Sequence, residues 1–472
     1  MVWALGAHAQ NIEIGPAVNI LVEATTNGQG TLDKAPRKDL IITTSPELDV
    51  SVRGVRSSLN AHLRVDNIQY VRSSQPDQNL PNGDIKLHSA LLDQWGGVDA
   101  AILARQTKAS LFSVPTGTSD SYTTTQARLS PYLDHAFNAN TVLQARLTRS
   151  ETHSTETLPS TTTQSGTQRR PTRYQDERSL RLERRPSPLG ASLEWNYNNT
   201  RDADRPDSLF TQSIARSALM YAVNDQVQAG VLLGRESIEV PQQPQHSDTV
   251  RGVRLGLRPN ERATLDADVE HRFFGTAWKL DLQHRMPFMA WQLQSKREPS
   301  INAPLLTQDL CLPDEPQIQC ALKQQQRAAS GVYPLSAKLL RSTFLRWVLM
   351  GKRNTVTLSA GMIQTEQLPL KGEDIPLDPS ELYKFTRERY ADAQLTRRLT
   401  PQTSLTTGVR WSLNSATLVK DGSELATRDV TIRGAINTKL SPQTTATVGM
   451  RHRSQFNASD ESAMFVGLGY RY

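Results

Sequence analysis

The stretch RLTPQTSLTTGVRW at 398–411 recurs 41 residues later as KLSPQTTATVGMRH at 439–452. Each copy contains a Pro-Gln-Thr segment, in which proline sets the backbone angle that a tight turn needs. After this segment, apolar and polar residues alternate, and the residues before it alternate as well. A period of two is the signature of a β-strand with one apolar face and one polar face. Each copy therefore predicts a strand, a tight turn and a second strand.

The same alternation continues along the whole chain of 472 residues. We count about 22 candidate strands, within a range of roughly 18–24, because strand boundaries from sequence are uncertain by a few residues. Most are about ten to fourteen residues long, which suits tilted strands that cross a bilayer. Short connections alternate with long polar ones. The pattern predicts an all-β protein, a single antiparallel transmembrane β-barrel with short periplasmic turns and long extracellular loops.

The composition fits such a barrel. Only 37% of the residues are hydrophobic, and the mean hydropathy is −0.50. No run of residues approaches the roughly 18–20 consecutive apolar residues of a membrane-spanning helix. A closed barrel tolerates this polarity because its inner face can be polar while its backbone groups pair between strands. The net charge is +7, but the basic residues are spread along the strands, so we expect no nucleic-acid partner.

The first ten residues end in the small-residue pattern Ala7-His8-Ala9, which favours a truncated signal-peptide remnant at 1–10 or a chance match. We expect the barrel to occupy 11–472. Because the first candidate strand begins near residue 16, we expect no N-terminal plug domain, which disfavours an energised siderophore-type receptor.

The longest polar connection, 299–339, is a candidate for a loop that folds into the lumen. It contains Cys311 and Cys320, which predict a local disulfide in an exported protein. Two unrelated thiols are the alternative. A zinc site is disfavoured, because no histidine or further cysteine is close in sequence.

The last candidate strand carries a possible signal for assembly into the outer membrane. The chain ends on an aromatic residue in an alternating segment, which resembles the recognition signal that the barrel-assembly machinery reads in outer-membrane barrels. An ordinary edge strand is the alternative. The residues of this C-terminal signal are Val466, Leu468, Tyr470 and Tyr472.

Charged residues on the polar face predict a charged lumen. Asp266, Asp268 and Glu270 form a ladder of carboxylates, which we expect to face opposing cations and so tune selectivity. The candidate cations are Arg251, Lys279, Arg433 and Arg451. We find no catalytic motif, so we expect neither an enzyme nor a bound cofactor or metal.

The run HRFFGTAWKLDLQHRMPFMAW at 271–291 carries a family resemblance. It is similar to the centre of an outer-membrane β-barrel family found beside the PEP-CTERM/exosortase exopolysaccharide systems of Gram-negative bacteria. Met286 and Pro287 depart from the more polar turn of that family. From the residues alone, the two histidines could pair or could be independent rim residues. The matching residues are His271, Arg272, Phe273, Phe274, Gly275, His284, Arg285 and Trp291.

The resemblance implies a location in the outer membrane and a genetic setting, because the family has no assigned activity. We expect a pore or an accessory component of exopolysaccharide export. The expected partners are outer-membrane lipid, the barrel-assembly machinery and exopolysaccharide export proteins. The alternatives are a structural barrel without a transport role and, with no supporting motif, a barrel enzyme that acts on lipid or polysaccharide.

Overall fold

The computed structural model describes residues 9–28, 36–92, 95–108, 121–155, 157–159, 167–169, 172–203, 205–241, 243–300, 337–370, 373–374, 383–456 and 460–472. Every regular element in these ranges is a β-strand. Twenty-two strands form one sheet. They are β1 (Ala9–Thr25), β2 (Asp39–Gly54), β3 (Ser57–Tyr70), β4 (Gln78–Leu92), β5 (Gly96–Lys108), β6 (Ser121–Asn138), β7 (Thr141–Ser154), β10 (Arg173–Arg184), β11 (Leu189–Asp202), β12 (Arg205–Ala222), β13 (Val227–Glu239), β14 (His246–Asn260), β15 (Ala263–Arg272), β16 (Gly275–Met286), β17 (Met289–Ser300), β18 (Lys338–Met350), β19 (Asn354–Gln367), β22 (Tyr383–Arg398), β23 (Thr403–Leu418), β24 (Glu424–Lys439), β25 (Thr444–Gln455) and β26 (Glu461–Arg471).

Two short hairpins lie between barrel strands and were not predicted from the sequence. They are formed by β8 (Thr157–Pro159) with β9 (Thr167–Arg169), and by β20 (Pro369–Leu370) with β21 (Glu373–Asp374). Neither hairpin belongs to the barrel sheet, because β7 pairs directly with β10 and β19 pairs directly with β22.

The sheet closes on itself. Each barrel strand pairs antiparallel with its neighbour in the chain, and the last strand pairs with the first, for example Val466 with Val22. Closure satisfies the backbone groups that an edge strand would leave unpaired in lipid. The prediction of a 22-stranded antiparallel barrel is confirmed.

The two copies of the opening motif form equivalent turns. Leu399 N–H donates to Thr403 O and Leu440 N–H donates to Thr444 O, both at 2.9 Å. In each turn a hydroxyl accepts from the backbone, since Thr403 N–H donates to Thr400 Oγ1 and Thr444 N–H to Ser441 Oγ, again at 2.9 Å. The repeat therefore encodes the short turns of the consecutive hairpins β22–β23 and β24–β25.

The outer face carries the apolar half of each alternating pattern. Large apolar side chains there are exposed, including Leu193 at 58%, Val253 at 55% and Val448 at 55%. This belt faces the membrane hydrocarbon, where exposure to lipid replaces burial in a core. Among the described residues, no helix is long and apolar enough to cross a membrane.

Two small clusters of buried apolar side chains lie elsewhere in the described wall, and the largest one lies near the end of the barrel that carries the long loops. Phe274 lies there in the tight turn between β15 and β16, in which Gly275 has a φ of +95°, a backbone angle that favours glycine. The cluster consists of Phe210, Ile238, Val240, Phe274, Ala277, Ala337, Leu339 and Leu368, with Phe273 packed against it.

Three predicted boundaries differ from the structure. β1 begins at Ala9 rather than near residue 16, because Ile12 and Ile14 already alternate on the outer face. At the long loop, Pro299–Ser300 and Lys338–Leu339 are paired in β17 and β18, so the loop is shorter than 299–339. The signal-peptide remnant predicted at 1–10 is too long by two residues, because Ala9 and Gln10 belong to β1. Residues 1–8 of this remnant and loop residues 301–336 lie outside the described residues.

Candidate functional site: the charged lumen

The predicted carboxylate ladder lies on the lumen face of β15. Each rung contacts an arginine on a neighbouring or more distant strand. Asp266 Oδ1 is 3.2 Å from Arg258 Nη2 and Asp268 Oδ1 is 2.8 Å from Arg254 Nε. Glu270 Oε1 accepts from Arg216 Nη1 at 2.7 Å. Because Arg216 belongs to β12, three strands away, the two side chains meet across the concave face of the wall, inside the lumen.

Arg254 is the centre of this network. Its Nη1 donates to Glu194 Oε1 at 2.8 Å, and its Nε donates to Asp268 Oδ1 at 2.8 Å. Arg216 Nη2 also lies 3.6 Å from Glu194 Oε2. Such charge-assisted hydrogen bonds are stronger than neutral ones. They tie β11, β12, β14 and β15 together along the inside of the wall.

Three central residues of this network were not predicted from the sequence, namely Arg254, Glu194 and Arg216. Each of them alternates with apolar neighbours, as Arg254 does with Val253 and Leu255, and this alternation could have placed them on the lumen face. The pairing itself depends on the register of strands that are far apart in the sequence, and periodicity within one strand carries no information about it.

The exposed fraction of the three carboxylate side chains falls from Asp266 to Glu270. The side chain of Asp266 is 59% exposed, that of Asp268 is 19% exposed and that of Glu270 is 5% exposed. β15 runs from a short periplasmic turn towards the long-loop end, so burial rises towards the extracellular side. Beyond Glu270, Arg272 binds Glu236 with side chains only 8% and 1% exposed.

Ion pairs on other strands differ in exposure in the same direction, whereas Arg346 and Val348, near the periplasmic end of β18, are also buried. Near the extracellular ends of their strands, Arg173–Asp202 and Arg453–Asp429 are ion pairs of buried side chains. Near the periplasmic end, Arg471 pairs with Asp49 and remains 63% exposed. These ion pairs are therefore more accessible to water on the periplasmic side than on the extracellular side.

A cavity of about 940 Å³ lies against the wall formed by β6 to β17. Arg254, Asp268 and Lys279 line it, together with neutral amides such as those of Asn196 and Gln212. Positively charged donors, negatively charged acceptors and neutral amides thus lie side by side on its surface. This lining suits a hydrated, polar solute rather than an apolar one.

Three of the four predicted cations also face the lumen. Lys279 is directly opposite Asp268 on β15 and Lys296 on β17. No ion pair of Lys279 lies within 4.0 Å among the described residues. Arg433 Nη2 donates to Gln394 Oε1 at 2.8 Å, and Arg451 Nη2 lies 2.8 Å from both Glu23 and Glu461.

The prediction for Arg251 is wrong. Its register partners are Leu233 and His271, and it shares the parity of Val253, which is 55% exposed on the outer face. The lumen position on this strand belongs to Arg254. Pleating explains the difference, because residues three apart on a strand point to opposite faces.

The histidines of the family motif do not form a pair. His271 is opposite Thr276 near the extracellular end, whereas His284 is opposite Ala263 near the periplasmic end. Eight residues of β16 separate the two levels, which is about 26 Å at the rise of a strand. His284 instead packs edge-on against Trp291, with ring centroids 6.0 Å apart.

The remaining motif residues occupy both rims of the barrel. Arg272 Nε donates to Glu236 Oε2 at 2.8 Å, and Arg272 also lies over the ring of Phe274 at 5.0 Å. Arg285, at the other end of β16, is exposed beside the periplasmic turn. The motif therefore combines a turn with a buried ion pair at the extracellular side and an aromatic contact at the periplasmic side.

The residues of the C-terminal signal lie on β26 and at the chain end. Val466 and Leu468 are 57% and 50% exposed on the outer face. Tyr470 and Tyr472 are in edge-on contact, and Tyr472 N–H donates to Pro16 O at 2.9 Å. This strand closes the barrel against β1.

Other predicted features receive no structural test. Cys311 and Cys320 lie outside the described residues, so their disulfide stays a prediction. Among the described residues, no group of three or more His, Cys, Asp or Glu side chains is placed to hold a metal ion.

No protein-family model and no curated protein matches the chain. Solved structures do match its fold. The FrpB iron transporter from Neisseria meningitidis, in its apoprotein form, is 9% identical over 97% of this chain and 81% of that chain, with a TM-score of 0.53. The siderophore receptor PirA from Acinetobacter baumannii is 10% identical over 98% of this chain and 80% of that chain, with a TM-score of 0.48. The likeness concerns the fold alone. The closed antiparallel barrel and its apolar belt place the protein in the outer membrane of a Gram-negative bacterium.

Proposed function

We propose that the protein is a gated outer-membrane conduit whose lumen admits polar solutes from the periplasm and is closed at its extracellular end. The observation that carries this proposal is the fall in exposure from Asp266 to Glu270 along one strand. A uniformly open pore would leave all three rungs in water. A fully packed barrel would bury all of them.

The solute that we propose is a segment of exopolysaccharide, so the protein would act as a pore or accessory component of an export system. Two features support this choice. The lumen alternates charged donors and acceptors with amides, a lining that can hydrogen-bond a hydroxyl-rich chain. The motif at 271–275 resembles that of barrels found beside exopolysaccharide systems. Export proteins on the periplasmic side would then be its partners.

Access to the lumen can be measured by thiol labelling. In a background with both native cysteines replaced by serine, Asp266→Cys and Glu270→Cys place a thiol at the exposed and the buried rung. We expect a charged, membrane-impermeant thiol reagent to label the first variant rapidly and the second at least about tenfold more slowly. Equal labelling of both variants would contradict the gradient.

Conductance in planar bilayers tests the gate. The folded protein should give small or infrequent openings. Steady large openings would contradict a closed extracellular end. A barrel that stays silent after its extracellular ion pairs are removed would instead favour a structural protein without a transport role.

The export assignment needs a separate test in cells. A strain that lacks the protein should release less exopolysaccharide, and the wild-type gene should restore release. If release is unchanged while the purified barrel conducts ions, the conduit would remain supported and the proposed solute would be wrong.

A further inference from the structure

A group of arginines points outward near the extracellular ends of β17 to β24. Arg297 and Arg341 are direct register partners, and Gln364 links Arg341 to Arg387 in the same cross-strand row. In the next row, Leu413 links Arg389 to Arg428. We call these five residues the outer arginine patch: Arg297, Arg341, Arg387, Arg389 and Arg428.

The register places the patch on the lipid-facing side. Arg297 has the parity of Leu293 on β17, and Arg341 has the parity of Leu345 on β18. Leu345 is 44% exposed and belongs to the apolar belt. The arginines therefore lie on the same face as the belt, immediately on its extracellular side. Lipid headgroups occupy that level of the membrane.

The patch differs from the lumen arginines in its partners. Within the described ranges, no carboxylate lies within 4.0 Å of any of the five guanidinium groups. In the lumen, by contrast, Arg254 and Arg451 each contact two carboxylates. Glu366 on the same outer face interacts electrostatically with Arg297 and offsets part of the charge. Counted over the described residues, the patch therefore keeps a net positive charge.

Neighbouring groups orient three of the guanidinium planes. Arg341 lies over the ring of Trp278 at 5.3 Å, and Arg297 lies over the same ring at 5.9 Å. Arg387 Nε donates to Gln364 Oε1 at 3.2 Å. Arg297 also donates from Nη1 to the Thr276 carbonyl at 2.5 Å. Together these contacts leave other N–H donors of each guanidinium available. A guanidinium fork matches the geometry of a phosphate group.

We propose that the outer arginine patch binds the phosphorylated headgroup of lipopolysaccharide in the outer leaflet. Charge complementarity selects this occupant, because cations that lack a carboxylate partner among the described residues attract anions at headgroup level. Spacing supports it as well, since neighbouring strands lie roughly 4.8 Å apart and one headgroup can contact several arginines. The site lies on the outside of the barrel and does not depend on what passes through the lumen.

Binding can be measured by native mass spectrometry and by titration of the folded protein in neutral detergent. The probes are lipopolysaccharide, the same lipid after enzymatic removal of its phosphates, and inorganic phosphate. We expect the wild-type protein to bind the phosphorylated lipid at least about tenfold more tightly than the dephosphorylated lipid. Inorganic phosphate at equal concentration should not compete. Equal binding of both lipids would overturn the proposal, and full competition by inorganic phosphate would replace the lipid with a free anion.

The test variant carries Arg→Gln at all five patch positions. A matched control neutralises five exposed basic residues at the periplasmic turns, namely Arg262, Lys352, Arg353, Arg398 and Lys439. The patch variant should lose the preference for phosphorylated lipid, and the control should keep it. If both variants lost this preference equally, binding would depend only on the total charge of the protein, and the proposed site would be wrong.

Folding of each variant is checked by its heat-dependent mobility on gels. If the fivefold variant does not fold, Arg389→Gln with Arg428→Gln is the second variant, because both side chains are exposed. It should weaken binding of the phosphorylated lipid about threefold. Unchanged binding in this folded variant would also count against the proposal.

Discussion

Arg254 and Arg258 offer a matched comparison within one strand. Both are arginines on the lumen face of β14, and each contacts the aspartate opposite or adjacent to it on β15. Arg254 and its partner Asp268 are only 17% and 19% exposed, whereas Arg258 and Asp266 are 49% and 59% exposed. We predict that Arg254→Ala destabilises the barrel far more than Arg258→Ala.

The expected magnitudes follow from these contacts. Arg254→Ala removes the partner of two largely buried carboxylates, Glu194 and Asp268. A hydrogen bond to a charged group contributes about 1.5–3 kcal/mol, and lumen water recovers part of the loss, so we expect a cost of about 2–4 kcal/mol. Arg258→Ala breaks an exposed pair and should cost less than about 1 kcal/mol.

Urea unfolding in detergent, followed by tryptophan fluorescence, measures both free energies of unfolding when the m-value is unchanged. A double-mutant cycle with Asp268→Asn isolates the Arg254–Asp268 interaction, for which we expect a coupling of about 1–2 kcal/mol. Equal costs for the two arginine variants would refute the reasoning. They would mean that the inner wall is equally hydrated at both levels.

Three further changes test other parts of the structure. Gly361→Ala would place a Cβ 2.4 Å from the Tyr390 ring and should cost about 1–3 kcal/mol in the same urea assay, whereas Gly256→Ala, with its nearest neighbour at 3.6 Å, should be nearly neutral. Gly275→Ala meets no atom within 4 Å but must adopt a φ of +95°, so a cost of about 1–2 kcal/mol from backbone strain is expected, and no cost would refute the turn geometry. Glu236→Gln leaves the buried Arg272 without its carboxylate and should loosen the extracellular end, which would appear as larger or more frequent openings in planar bilayers; unchanged conductance would show that this pair does not hold the gate.

The fold was predictable because its signals are local. Alternation over two residues and turn chemistry such as Pro401-Gln402-Thr403 act within one hairpin, and repetition along the chain specifies the strand number. The candidate site was only partly predictable. The ladder at Asp266, Asp268 and Glu270 followed from parity, but its arginine partners lie on other strands, and the burial of its upper rungs depends on how the barrel is packed at one end.

Arg251 shows why parity was misread. A strand needs only about 9–11 residues to cross a bilayer, whereas β14 has 15. The residues beyond the hydrocarbon face water or headgroups on both sides of the sheet, so a polar residue there is not evidence of a lumen position. Counting from Val253 and Leu255, inside the belt, places Arg251 outside, on the face that carries the outer arginine patch. In long barrel strands, a polar residue near the extracellular end therefore indicates only that this position lies beyond the hydrocarbon of the membrane. Whether the side chain points to the lumen or to the lipid follows from its parity relative to the apolar residues of the belt.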